Sequence, residues 1–113
     1  MAATVAERKL LVDGEWIETG EWQEVRSPFS GDVVGRHPVA DAALARKAVD
    51  AADRALAEPL PAHRRAAILD AVAHLVAERQ EELAQTICAE AGKPLKAARV
   101  AHVDALARFM IEG

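Results

Sequence analysis

From Asp41 to Ala91 the apolar residues of this chain return at helical spacing, and many of them are alanine. A segment of that kind buries itself best by close helix packing. Leu44, Ala48, Val49, Ala52, Ala55 and Leu56 follow Asp41, whose short carboxylate suits a helix N-cap, until Pro59 and Pro61 end the run. A second helix is expected from about Ala62 to Glu78, with Ile68, Leu69, Val72, Leu75 and Val76 on its apolar face. A third runs from about Glu81 to Ala91 and carries Leu83, Ala84, Ile87 and Cys88; its break from the second reads as a kink as readily as a turn. Gly92 suits a left-handed C-terminal cap, and Pro94 opens a fourth helix that ends in Phe109, Met110 and Ile111. Those three apolar residues either fold back onto the earlier helices or form an edge that expects a partner.

The residues before Asp41 carry strand signals instead. Leu10 to Val12 and Glu15 to Ile17 flank Asp13-Gly14, a dipeptide favoured where a two-residue hairpin turn needs positive φ. In that register Leu11 faces Trp16 on one side and Leu10 faces Ile17 on the other, so the ribbon wants apolar cover on both faces. A second extended pair, around Gln23 to Arg26 and Asp32 to Arg36, is separated by a turn punctuated by Pro28 and Gly31. Four short strands make little sheet, and an isolated two-stranded ribbon is marginal in water.

At 113 residues the chain is long enough for one domain. Its net charge of −4 gives no attraction to phosphate backbones or anionic lipid, which argues against a nucleic-acid partner, including a helix-turn-helix reading of the second and third helices. Charges interrupt every apolar stretch well short of the roughly 18 residues a membrane span needs, and residues 1–9 lack the apolar run of a signal peptide. Neither a membrane partner nor an exported chain is expected, and the address is cytoplasmic. The single cysteine, Cys88, cannot form an internal disulfide, in keeping with a reducing compartment.

Candidate chemical groups do not converge. His63 and His74 are separated by about 16 Å of helix rise, too far for one metal ion. Asp70, His74 and Glu78 share a stripe opposite Leu69, Val72 and Val76, where a solvated ion-paired face outweighs metal binding. Glu78, Glu81 and Glu82 cluster near a helix start and offset its dipole. Cys88, beside Ile87 and Ala91, reads as a small buried core residue. Gly14, Gly20, Gly31, Gly35, Gly92 and Gly113 are isolated from one another, so no Gly-rich phosphate turn forms. No residue is assigned a catalytic, cofactor-binding or metal-binding role.

Four stretches do form a family pattern. Leu11-Val12-Asp13-Gly14-Glu15-Trp16-Ile17, then Ser27-Pro28-Phe29-Ser30-Gly31-Asp32-Val33-Val34-Gly35, then the helices through Ala51-Ala52-Asp53-Arg54-Ala55-Leu56 and Pro61-Ala62-His63-Arg64-Arg65, and finally Glu90-Ala91-Gly92-Lys93-Pro94-Leu95-Lys96-Ala97-Ala98-Arg99, keep one order and spacing. Together they resemble the N-terminal segment of the NAD(P)-dependent aldehyde dehydrogenase superfamily, over about Leu10 to Arg99. Beyond Arg99, Ala101 and His102 stand where many members have glutamate and valine.

The resemblance implies an α/β parent fold, of which this chain would be N-terminal β-hairpins followed by about four α-helices, without a complete Rossmann sheet. Residues 1–113 would then be a single partial domain, part of the cofactor-binding domain, with a hairpin region at 1–40 and a helical region at 41–113. It implies aldehyde oxidation with NAD or NADP in the complete protein, through a cysteine nucleophile, a glutamate and an oxyanion-binding asparagine. No asparagine occurs here, and the nucleophile of the family lies far downstream of the position of Cys88. Lys93-Pro94 differs from the later lysine that touches the cofactor ribose, and reads as a loop lysine before a helix. Some members hold a monovalent cation on backbone carbonyls at positions similar to Arg26 and Glu90. The chain alone is expected to bind no cofactor and turn over no aldehyde; its partners would be the remainder of the dehydrogenase or sister subunits. The competing reading is a small non-catalytic helical interaction module.

Overall fold

The computed structural model describes residues 5–100, so the expected end of the fourth helix at Phe109, Met110 and Ile111 lies outside the described residues. The elements are β1 (Ala6–Glu7), β2 (Leu10–Val12), β3 (Glu15–Ile17), β4 (Trp22–Arg26), β5 (Val33–Pro38), α1 (Ala42–Leu56), α2 (Ala62–Glu78) and α3 (Gln80–Ala91). Residues 95–100 are helical as well. The chain divides into two compact units at Pro59/Leu60.

In the first unit β2 and β3 pair as Leu10↔Ile17, Leu11↔Trp16 and Val12↔Glu15. Asp13 and Gly14 take φ of 52° and 76°, the double positive φ whose twist matches the strands. One face of the ribbon is covered: Val12 is buried, Leu10 and Ile17 are half-buried, and α1 lies against β2. The other face is not. Leu11 is 59% and Trp16 65% exposed.

The second sheet has the order β1-β5-β4. β4 and β5 pair antiparallel from Trp22↔Pro38 to Arg26↔Val33, with a register shift between Val25 and Arg26. β5 runs to Pro38, two residues past the expected end, because Trp22 pairs with it there and a proline is tolerated at a strand terminus. The Ser27–Gly31 turn closes by Gly31 N–H donating to Ser27 O at 2.8 Å, with Gly31 at φ 77°. β1 is a fifth strand beyond the four expected. It pairs parallel to β5 as Ala6↔Gly35 and Glu7↔Arg36, and a Cβ on Gly35 would stand 3.3 Å from Ala6 O. Arg36 pairs with Glu7 and sits 4.6 Å from the Trp22 ring centroid.

α1 starts as its sequence requires, with Asp41 Oδ1 accepting from Leu44 N–H at 2.8 Å. At its other end Arg54 complements the dipole and pairs with Asp13 of the hairpin turn at 2.9 Å. Its half-buried stripe is Leu44, Ala48 and Ala51, whereas Val49 (67%) and Leu56 (74%) are exposed.

In the second unit α2 and α3 are separated by Arg79 alone, with φ −100° and ψ 19°, so the break is a kink. The covered stripe of α2 is Leu69, Val72, Ala73 and Val76; Ile68 and Leu75, expected on the same face, are exposed. The reason is angular. Ile68 and Leu75 sit seven residues apart at one margin of the apolar arc, and burial lies towards the other margin, at Ala73.

Candidate functional site

The stretch with the densest family pattern, Glu90 to Arg99, forms a joint between helices. Gly92 takes φ 64° and its N–H donates to Cys88 O at 3.0 Å, the left-handed cap expected for it. Pro94 O then accepts from Ala98 N–H at 2.9 Å, opening the helical residues 95–100. Ala84 on α3 and Ala98 past the joint are both fully buried. Alanine at such positions lets helix backbones approach closely.

A fork holds this joint. Arg99 Nε and Nη2 donate to Glu81 Oε2 and Oε1, each at 2.9 Å, and Gln85 Nε2 adds a third bond to Oε1 at 3.0 Å. The Arg99 hydrogen bonds, and after them the Gln85 bond, hold the Glu81 carboxyl down at about 2. Such a carboxylate stays ionised and is a poor general base near neutrality, where a matched pKa serves best. Glu81 was expected only to offset the helix dipole. Its partner lies eighteen residues on, across a chain reversal that helical periodicity does not encode.

Other candidates stay apart. Asp70, His74 and Glu78 are exposed on α2, opposite the covered Leu69, Val72 and Val76, and His63 is exposed near its start. Among the described residues no group of three or more His, Cys, Asp or Glu could hold a metal ion. Cys88 is half-buried, not enclosed as expected: the buried position of α3 is Ala84, one turn earlier. Lys93 is exposed in the joint. Arg26 ends β4 and Glu90 lies in the last turn of α3, so the two cation-related positions belong to different units. A cleft of about 300 Å³ lined by Ile17, Thr19, Glu21, Val39, Asp41 and Leu44 occurs in the first unit. Two of its polar side chains shape the loop: Thr19 Oγ1 donates to Val39 O at 2.7 Å, and Asp41 caps α1.

A dinucleotide presents phosphates that a fold must cradle. A cradle for its phosphates needs a glycine turn leading from a strand into an open helix N-terminus. Here the positive-φ glycines Gly14, Gly20 and Gly31 lie in the loops of the strand region, Gly92 ends a helix, and the N-terminus of α1 is already capped by the Asp41 carboxylate.

Comparison with known proteins gives this architecture a family. The model of the aldehyde dehydrogenase family matches residues 16–112. The chain is 40% identical over 96 residues to the NADP(+) succinate-semialdehyde dehydrogenase of Escherichia coli, covering 81% of this chain and 20% of that protein. It is 36% identical over 93 residues to the lactaldehyde dehydrogenase of Methanocaldococcus jannaschii, covering 80% and 20%. The crystal structure of an NAD-dependent aldehyde dehydrogenase from Sinorhizobium meliloti superposes with a TM-score of 0.89 at 32% identity, covering 95% of this chain and 23% of that one. The chain belongs to the aldehyde dehydrogenase family, as an N-terminal portion. It spans about a fifth of the length of the curated relatives it matches.

Proposed function

We propose that this chain is the non-catalytic N-terminal part of an NAD(P)-dependent aldehyde dehydrogenase, a piece of its cofactor-binding domain that supports the nucleotide fold by packing. The observation that carries this reading is the combination of a family-typical backbone with apolar side chains left in water, Leu11, Trp16, Val49 and Leu56 among them. Such surface is what a segment presents when it is built to be covered. The reading assigns NAD or NADP to the complete enzyme, and gives the chain the remainder of the dehydrogenase or sister subunits as partners in a cytoplasmic setting. No helix among the described residues is long and apolar enough to cross a membrane.

On this proposal the purified chain shows no growth of reduced-nicotinamide absorbance, at about 340 nm, with a panel of aldehydes and either nucleotide. When it replaces the matching segment of the Escherichia coli relative, the hybrid oxidises succinate semialdehyde. Turnover by the chain alone, or a hybrid that cannot fold, would overturn the reading.

A further inference from the structure

We draw no further inference here: the strongest candidate, the surface patch that the exposed Phe29 forms at the tip of the turn between β4 and β5, is an unpartnered apolar face, and nothing in the structure shows what covers it.

Discussion

Glu81 and Gly92 show how two residues set one joint. The Glu81 carboxyl lies at about 2 in the folded chain, against an ordinary 4.5, because Arg99 and then Gln85 donate to its ionised form. A depressed carboxyl stabilises the fold above its unfolded value, and that contribution is lost as pH falls from about 4.5 towards 2. Glu81→Gln is therefore expected to melt below the natural chain at pH 6, with the gap closing as pH approaches 2; melting followed by circular dichroism checks it. A gap that is flat across that range would remove the fork from the account. The pair is solvent-facing, so added salt should narrow the same gap at pH 6. Gly92 makes a simpler case. Its φ of 64° is open to glycine without strain, and Gly92→Ala should cost about 1 kcal/mol in urea denaturation.

Elements differ in how far their own residues specify them. Asp41 caps α1 by accepting from Leu44 N–H, and Asp41→Ala should destabilise the fold by about 1 kcal/mol, measured by the denaturation midpoint. That cap, the Asp13-Gly14 turn with its register and the Gly92 stop were all legible in the sequence, because each is a local demand on φ or on one hydrogen bond. β1 was not. Two residues, Ala6 and Glu7, have no periodicity to read and become a strand only because β5 offers them an edge. The face of α2 was legible in outline and misplaced in angle: hydrophobicity marks a wide arc, while packing covers only the margin of it around Ala73, leaving Ile68 and Leu75 in water. In the candidate site, the lack of an asparagine and of a Gly-rich turn could be read from composition, and the joint from Gly92 and Pro94. The Glu81–Arg99 fork could not, since only the folded path brings those residues together.

Taken whole, the molecule has a backbone typical of the aldehyde dehydrogenase family, and its exposed side chains are informative. Leu11, Trp16, Val49 and Leu56 all belong to the first unit, and Phe29, 96% exposed, stands at the tip of its second hairpin. Free in solution, the chain should enhance the fluorescence of an apolar dye more than the active hybrid does per mole of this segment. Equal enhancement would show that these residues stay in water in the larger enzyme. The close passage of Ala6 past Gly35 has a practical side for anyone handling the protein. Because a Cβ on residue 35 would stand 3.3 Å from Ala6 O, Gly35→Ala asks β1 to give by a few tenths of an ångström along its pairing with β5, so a purification tag joined near this strand is best checked against that variant's melting temperature.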